Sequence, residues 1–164
     1  MKTNWSDFVI WDNNNIRGFY GRDHYFWLSN FYPCEVYVGG IRYPSSENAY
    51  QAAKVKKAHR IEFTDVSACE SKRLWKEFPL VDASAEEWDA RKITEMTFVV
   101  GCKFFQNRDL AYRLIDTGDK YLEELNSHGD TFWGVDYKTG KGENHLGEIL
   151  MTIRGALKVM EEEK

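Results

Sequence analysis

The sequence predicts an α+β fold: a single compact domain over residues 1–164, mainly helical, with short antiparallel β-hairpins. Three observations predict it. A chain of 164 residues is long enough for one substantial core and short for two. Apolar residues flank Gly39-Gly40, and glycine supplies the positive φ that a tight two-residue hairpin turn needs. Ser84 and Glu87 have the spacing of a capping box, which opens a helix.

Two hairpins are predicted before the first helix. In residues 1–20, short apolar groups lie on both sides of the polar turn at 12–15, a pattern typical of a hairpin. Residues 35–43 form the second hairpin, around the two glycines. Its second strand leads directly into the stretch on which the functional interpretation depends.

That stretch is a helix with one polar face. Pro44 disfavours helix before it, and either of the two serines that follow can cap the first turn, so the helix should begin at about Glu47. The opposite side is mostly alanine, which lets a neighbouring element approach closely. We interpret the polar face as a reactive site, although a capped surface helix with a solvated face would show the same pattern. At spacings of i, i+3, i+4 and i+7 that face carries Glu47, Tyr50, Gln51 and Lys54.

The middle of the chain is predicted to be helical. Short helices follow to about Phe78, where Pro79 ends them. The helix that the capping box opens should extend to Gln106, with Gly101 as a point of close packing against a neighbour. Its buried stripe is formed by Ile93, Met96, Val100 and Phe104.

The last third of the chain contains a long loop between regular elements. Asn107 is predicted to cap a shorter helix that Gly118 ends, and residues 121–125 read as a strand. The loop over 126–142 exceeds the roughly 12 to 15 residues beyond which connections tend to be functional. Asn144 is expected to cap a C-terminal helix. The apolar face of that helix is marked by Leu146, Ile149, Leu150, Ile153, Leu157 and Met160.

Composition excludes several classes of protein. The chain has 22 basic and 26 acidic residues and a formal charge of −4, so we expect nucleic acid only as a modified substrate. No apolar run approaches the roughly 20 residues that cross a bilayer, so no membrane partner is expected. Oligomeric state is not indicated. Neither a metal nor another cofactor is expected, since the four histidines have no metal-ligand spacing. The three cysteines, Cys34, Cys69 and Cys102, are widely spaced along the chain. This spacing indicates reduced thiols in a cytoplasmic protein.

Four charged residues are candidates for catalysis. Glu47 and Asp130 are carboxylates that we expect to be exposed, and the sequence gives neither an obvious structural duty. Lys54 and Lys92 are the candidate amines. A lysine packed against alanine can have a lowered pKa and become a nucleophile toward a sugar aldehyde. The alternative for either lysine is a phosphate contact or a surface charge.

Aromatic and neutral polar residues are candidates for binding. Trp88 and Trp133 could stack on a flat heterocycle, although tryptophan is more often a core residue. Ser29, Asn30 and Asn144 offer hydrogen bonds suited to sugar hydroxyls or a base edge. The alternative for these three is turn formation or helix capping.

These residues belong to a larger pattern of uncommon residue types in a fixed order. The pattern closely resembles the signatures of the NADAR (YbiA-like) family, from about Ile16 to Leu157. Its first part comprises WLSNFYPC at 27–34, the two glycines at 39–40 and YPSSENAYQAAK at 43–54. Its later part comprises Trp88 with Lys92 and Met96, DTFWG at 130–134 and GENHLGEILM at 142–151.

The resemblance implies cleavage of N-glycosidic bonds. Members of the family are associated with removing base-like groups from phosphoribosyl intermediates of riboflavin biosynthesis. Some branches are associated with removing ADP-ribose from modified guanine. A small, largely helical α+β domain is implied as well. The active-site positions that the resemblance implies are Glu47, Trp88, Asp130 and Trp133, with Lys54 and Asn30 close by. The residues that we predict to bind substrate are Ser29, Asn30, Phe31, Trp88, Lys92, Trp133 and Asn144.

The primary hypothesis is therefore an N-glycosidase acting on a ribosylated or phosphoribosylated heterocycle. Glu47 and Asp130 would converge on one ribose as acid, base or charge-stabilising groups, because C–N cleavage builds positive charge on the anomeric carbon. Lys54 would form a Schiff base or contact phosphate. The alternatives are an ADP-ribosyl-guanine hydrolase and a module that binds NAD or ADP-ribose without cleaving it.

One region departs from the family pattern. Where relatives tend to carry Gly-Arg after a short helix, this chain has Trp75-Lys76. Asp82-Ala83-Ser84 is also less basic than the family's usual approach to the tryptophan. If the family arginine binds phosphate, the phosphate contact is altered here, so the choice of substrate is left open.

Overall fold

The structure, a computed structural model, describes residues 14–19, 21 and 24–163. Its elements confirm an α+β fold. The hairpin predicted over residues 1–20 falls mostly outside the described residues. The strands are β1 (Asn15–Gly18), β2 (Val36–Val38), β3 (Ile41–Tyr43), β4 (Tyr121–Asn126) and β5 (Val135–Asp136). The α-helices are α1 (Ser46–Ala53), α2 (Ala68–Leu74), α3 (Ala85–Gln106), α4 (Arg108–Asp116) and α5 (His145–Glu162). The 3₁₀ helices are Phe26–Leu28, Lys57–Phe63 and Trp75–Glu77.

The chain divides into two compact units. The central unit is formed by Asn30–Ala111, and the terminal unit by the segment up to Ser29 together with Tyr112–Lys164. The interpretation of residues 1–164 as a single domain stays a prediction.

The terminal unit is built on a parallel sheet, which the sequence reasoning did not predict. β4 lies in the middle, with β1 parallel to it on one side and β5 parallel to it on the other. Only antiparallel hairpins were expected, because a hairpin has a local turn signal whereas β1 and β4 are far apart in the sequence. The predicted strand at 121–125 is confirmed. β5 lies inside the predicted loop, where Val135 is buried.

The central unit contains the predicted glycine hairpin and the longest helix. β2 and β3 pair antiparallel, and Gly39 and Gly40 both have positive φ, at 58° and 80°. α3 ends at Gln106 as predicted. Its capping box is altered: the Ser84 hydroxyl accepts from Glu87 N–H, but the Glu87 carboxylate accepts from Ala83 N–H. Both α1 and β2 pack against α3.

Two expectations about α3 are wrong. Met96, Val100 and Phe104 are buried, but Ile93 is 40% exposed, because the buried stripe begins one turn later. Gly101 is buried without a close approach. The nearest atoms to a methyl group placed on it are the Phe105 ring of the same helix, at an ordinary 3.7 Å.

Asn144 stands where the helix cap was predicted but does not cap. It precedes α5 in the left-handed conformation, with φ 53°, and its side chain makes no cap hydrogen bond. Its Oδ1 accepts from Glu124 N–H at 3.0 Å, and its Nδ2 donates to Leu122 O at 2.8 Å and to the Tyr121 hydroxyl at 3.1 Å. The amide therefore ties the start of α5 to β4.

We predict opposite effects for two alanine substitutions in α5. A Cβ on Gly147 would lie 2.1 Å from Leu122 O and 2.4 Å from the Asn144 amide, whereas a Cβ on Gly155 would meet nothing within 4 Å. Gly147→Ala should lower the free energy of unfolding by about 2–4 kcal/mol, since the helix must move off β4. Gly155→Ala should raise it by about 0.5–1 kcal/mol through helix propensity. Urea unfolding measures both, and equal values would contradict the packing of α5 on β4.

Candidate active site

The helix α1, which carries the predicted polar face, is buried on all sides. Its N-cap is Ser45, whose hydroxyl accepts from Asn48 N–H at 3.2 Å, so the helix begins one residue before the predicted start. α1 packs against α2, α3 and the 3₁₀ helix Lys57–Phe63, and all eight of its residues are buried. The expectation that Glu47 is exposed is therefore wrong: it is 4% exposed, because neighbouring helices cover the polar face as well.

The Glu47 carboxylate is held from within α1. Gln51 Nε2 donates to Glu47 Oε1 at 2.7 Å, one helical turn away. Gln51 Oε1 is itself buried and, among the residues that the structure describes, no group donates a hydrogen bond to it. A buried carbonyl oxygen that accepts no hydrogen bond costs free energy. Gln51 Oε1 is therefore an acceptor, beside the Glu47 carboxylate, that a hydrogen-bond donor would stabilise.

Asn30 is fixed against the start of α1. Its backbone oxygen accepts from Glu47 N–H at 3.0 Å, and its Oδ1 accepts from the Ser46 hydroxyl at 2.9 Å. Its Nδ2 donates to Met96 Sδ at 3.1 Å. The structure thus brings Asn30 to Glu47, as the family pattern implied, and shows its amide engaged in structural contacts.

Lys54 follows α1 with its ammonium group among aromatic rings. Nζ lies 4.7 Å from the ring centre of Trp75, 5.3 Å from that of Tyr50 and 5.6 Å from that of Trp88. We call these three rings the Lys54 cage. The Lys54 carbonyl accepts from Val81 N–H at 2.9 Å, which fixes the backbone at this point.

The environment of Lys54 lowers its pKa from 10.5 to about 8. Burial contributes most, because the charged form loses water; Lys72 and Lys76 lower the pKa further, while Glu47 opposes the shift. The predicted lowering is confirmed, although the sequence reasoning attributed it to alanine rather than to the cage. At pH 8, about half of Lys54 is the free amine that a nucleophile requires.

Trp88 and Lys92 lie on α3. The Trp88 ring is tilted by 50° against the Tyr50 ring, with 5.6 Å between ring centres. Lys92 Nζ makes an ion pair with Asp89 Oδ1 at 2.8 Å, one turn away on the same helix. The Phe31 ring is half-buried, and its centre lies 5.3 Å from Lys72 Nζ.

Asp130, in the terminal unit, organises a turn. Its Oδ1 accepts from Phe132 N–H at 3.1 Å and from Trp133 N–H at 2.9 Å, and its own N–H donates to Asn126 Oδ1 at 3.0 Å. The sequence did not indicate this structural role of Asp130. The turn positions Trp133, whose ring meets Phe132 edge-on at 4.9 Å. An acid–base role is left to the second oxygen, Oδ2.

The convergence of Glu47 and Asp130 on one ribose stays a prediction, since they belong to different units. Ser29 and Asn144, also in the terminal unit, are both buried. The hydrogen bonds of the Asn144 amide give it a structural duty, and its contact with substrate stays a prediction as well.

Sequence reasoning named Tyr50 and Trp88 but missed the role of Trp75 in the cage and the residues around it. Trp75 and Lys76 stood out only as a departure from the family pattern. Lys72 lies on α2, whose sequence carried no functional signal. Arg91 stacks on Trp88 at 4.7 Å; the three-residue spacing on a helix could have indicated that contact.

Lys103 is a second lysine with a lowered pKa, about 8, but it is fully buried. Its Nζ lies 5.1 Å from the Phe104 ring centre and 5.7 Å from that of Tyr32. Loss of water is again the main cause. A substrate has no access to a side chain with 0% exposure, whereas Lys54 is partly exposed.

Residues 14–19, 21 and 24–163 contain neither a metal cluster nor a membrane-spanning helix. In that part of the chain, no group of three or more His, Cys, Asp or Glu side chains is arranged to hold a metal ion. Nor does any helix there have the length and apolar character to cross a membrane. Cys34, Cys69 and Cys102 are free thiols. The cytoplasmic location stays a prediction.

The fold and the site define an α+β protein in which a carboxylate, an amine of lowered pKa and aromatic rings meet at one buried helix. The chain belongs to the NADAR domain family, whose model matches residues 18–158. The resemblance in the sequence motifs is thereby confirmed.

Relatives and a solved structure agree with this assignment. A riboflavin biosynthesis protein of Vibrio vulnificus is 41% identical over 136 residues, which cover 79% of this chain and 35% of that protein. The N-glycosidase YbiA of Escherichia coli is 32% identical over 157 residues, covering 89% of this chain and 91% of the relative. The NMR structure of E. coli YbiA superposes with a TM-score of 0.79 at 30% identity, covering 94% and 91% of the two chains. The chain thus spans about a third of the Vibrio protein and nearly all of YbiA.

Burial of Lys103 predicts a pH-dependent effect of Lys103→Met. Below about pH 8 the lysine is protonated in the folded and unfolded states, so the cost of burying its charge is fully present. Between pH 8 and 10.5 the folded state releases the proton first and the cost disappears. The stability of the variant relative to wild type should therefore fall by about 3 kcal/mol as pH rises from 7 to 10.5.

Urea unfolding at several pH values measures this difference. Lys57→Met, at an exposed lysine of the same unit, is the matched control and should give a difference that is constant with pH. A constant difference for Lys103→Met as well would contradict the burial of a charge-bearing amine at this position.

Proposed function

We propose that the chain is an N-glycosidase that hydrolyses the C–N bond between a ribose phosphate and a heterocyclic base. One observation carries the proposal: Glu47 lies in α1, the low-pKa amine of Lys54 directly follows that helix, and Lys54 sits in a cage of stacking rings. Membership of the NADAR family supports it, as do relatives named N-glycosidase in E. coli and Nostoc punctiforme.

The cage supports recognition of a flat base. Trp75 and Trp88 are both half-buried, so each ring keeps some surface in reach of a ligand. A base stacked on either ring would bring its ribose close to the Lys54 amine, which lies 4.7 and 5.6 Å from the two ring centres.

Positive charge around the cage supports an anionic substrate. Lys72 and Lys76 are close enough to Lys54 to lower its pKa, and both are exposed. Lys76 Nζ lies 5.9 Å from the Trp75 ring centre. A phosphate on the sugar would relieve the repulsion among these ammonium groups, so a phosphoribosyl compound fits better than a neutral riboside.

The bond can be broken in two ways. In direct hydrolysis, Glu47 stabilises the positive charge that develops on C1 while water attacks C1, and the base leaves with the bonding electron pair and takes up a proton. In the covalent route, Lys54 Nζ attacks C1, and the base leaves with the bonding electron pair and takes up one amine proton. The C1–O4 bond of the sugar ring then breaks, O4 takes up the second amine proton, and the opened sugar is held as a C1=Nζ Schiff base. Water then adds to C1 and releases the amine and the sugar aldehyde.

Other predicted residues keep supporting roles in the proposal. Asp130 supplies a proton to the departing base through Oδ2, and Trp133 provides a second stacking ring. Their support is the match to the family motif and the turn in which Asp130 holds Trp133. The further substrate contacts proposed are Ser29, Asn30, Phe31, Lys92 and Asn144.

We predict that Glu47→Gln abolishes turnover while keeping the fold. The substitution removes the charge but retains a partner for Gln51, so stability should change little, whereas the rate should fall by about 10²–10⁴-fold. The assay incubates the protein with phosphoribosylaminopyrimidines and measures free ribose 5-phosphate. Glu62→Gln, at an exposed position of the same unit, is the control.

Three outcomes discriminate among the alternative functions when the assay also includes ADP-ribosylated guanine and a measurement of ADP-ribose binding. Release of ADP-ribose from modified guanine, with the pyrimidines untouched, would assign the hydrolase of ADP-ribosylated nucleic acid. Saturable binding of ADP-ribose without turnover of any substrate would assign the binding module. Full activity of Glu47→Gln would remove Glu47 from the chemistry.

The proposed role of Lys54 as a nucleophile predicts that the rate of cleavage depends on pH and that a covalent adduct with the sugar can be trapped. Because the free amine is the reactive form, the single-turnover rate should rise about tenfold per pH unit below pH 8 and level off above it. Borohydride added during turnover should fix the sugar on the protein, and Lys54→Ala should lose the mass increase. Turnover without an adduct would favour direct hydrolysis, and an adduct that persists in the variant would move the assignment to Lys92.

A further inference from the structure

We infer that Arg91 is a positioning residue for the proposed reaction: its guanidinium locks Trp88 and the end of α1 together, so that Lys54 stays inside its cage. The effect on turnover rests on the proposed function. The effect on Lys54 can be measured without any turnover.

Arg91 is oriented by two carboxylates. Its Nε donates to Asp82 Oδ1 at 2.8 Å and to Oδ2 at 3.0 Å, and its Nη1 donates to Glu95 Oε1 at 2.5 Å. The side chains of Arg91 and Asp82 are 28% and 14% exposed, so this pair is partly shielded from water. Charge-assisted bonds from two directions leave a planar guanidinium little freedom to rotate.

The Arg91 guanidinium contacts both the end of α1 and the Trp88 ring. Its Nη2 donates to Ala53 O at 3.2 Å, at the last residue of α1 and directly before Lys54. Its central carbon lies 4.7 Å from the ring centre of Trp88. Arg91 therefore fixes the backbone that carries Lys54 and one ring of the cage at the same time.

A lysine could not replace these contacts. The ammonium group has three donors on one atom, whereas Arg91 uses three nitrogens in different directions and stacks its plane on the Trp88 ring. Loss of the contacts of the Arg91 guanidinium should let the Trp88 ring move and let water reach Lys54.

The charged groups that act on Lys54 are Glu47 on its own helix, Lys72 on α2 and Lys76 on the 3₁₀ helix Trp75–Glu77. Substitution of Arg91 leaves all three in place. Arg91→Met also removes the positive charge of Arg91 itself, which lies on the same Trp88 ring, whereas Arg91→Lys keeps a positive charge. A shift of the Lys54 midpoint that both variants share would therefore report the opening of the cage rather than the loss of a neighbouring charge.

The experiment measures the acylation of Lys54 by a short pulse of acetic anhydride between pH 6 and 11, read by mass spectrometry. In wild type the midpoint should fall at about pH 8. In Arg91→Met it should rise by about one pH unit or more, because a solvated ammonium holds its proton more tightly. Arg91→Lys should shift it in the same direction. Arg113→Met is the matched control, since Arg113 stacks on Trp27 at 4.6 Å in the terminal unit, and it should leave the midpoint unchanged.

Turnover supplies the second readout. With a phosphoribosylaminopyrimidine, Arg91→Met should lower kcat by about tenfold or more with a smaller change in KM, as expected for misplaced reacting groups. If Arg91→Met does not fold, Arg91→Lys carries the test.

The outcomes separate this inference from the proposed function. An unchanged Lys54 midpoint in the folded Arg91 variants would overturn the positioning role, whatever the activity. A shifted midpoint in a protein that cleaves no candidate substrate would leave the role of Arg91 in the cage standing and remove the proposed reaction.

Discussion

The removal of α1 from water is the constraint on which the rest of the site depends. Helices cover both its alanine side and its polar side, so Glu47 must find its partner within the helix, and Lys54 emerges among aromatic rings. A protein interior penalises charge, and that penalty lowers the pKa of Lys54 into the physiological range. The same burial that stabilises the fold thus supplies an amine that can react.

The cage is assembled from three separate elements, which explains why its geometry needs the whole central unit. Tyr50 comes from α1, Trp75 from a 3₁₀ helix and Trp88 from the first turn of α3. Lys103 shows that a lowered pKa alone does not make a site: it shares the shift but has no exposed surface. Access, together with burial, distinguishes the two lysines.

Local signals in the sequence predicted the parts of this fold that depend on local physics. The glycine hairpin, the start of α3 and the presence of a helix after Pro44 follow from backbone preferences and capping, and all three are confirmed. The parallel sheet was missed because its strands pair over long sequence separations. The burial of Glu47, the duty of Asp130 in its turn and the Lys54 cage depend on tertiary contacts, which periodicity and motif spacing do not encode. Family motifs selected Glu47 and Lys54 correctly as neighbours but could not show what surrounds them.

The central claim is that the sugar is held along the polar face of α1, where the Lys54 amine and the Glu47 carboxylate act on C1. A crystal structure of Glu47→Gln with an uncleaved phosphoribosyl substrate tests this most directly. The account predicts that C1 lies within reach of Lys54 Nζ, that the base stacks on Trp75 or Trp88, and that the phosphate lies beside Lys72 or Lys76. A substrate bound away from α1, with the cage intact and empty, would contradict it.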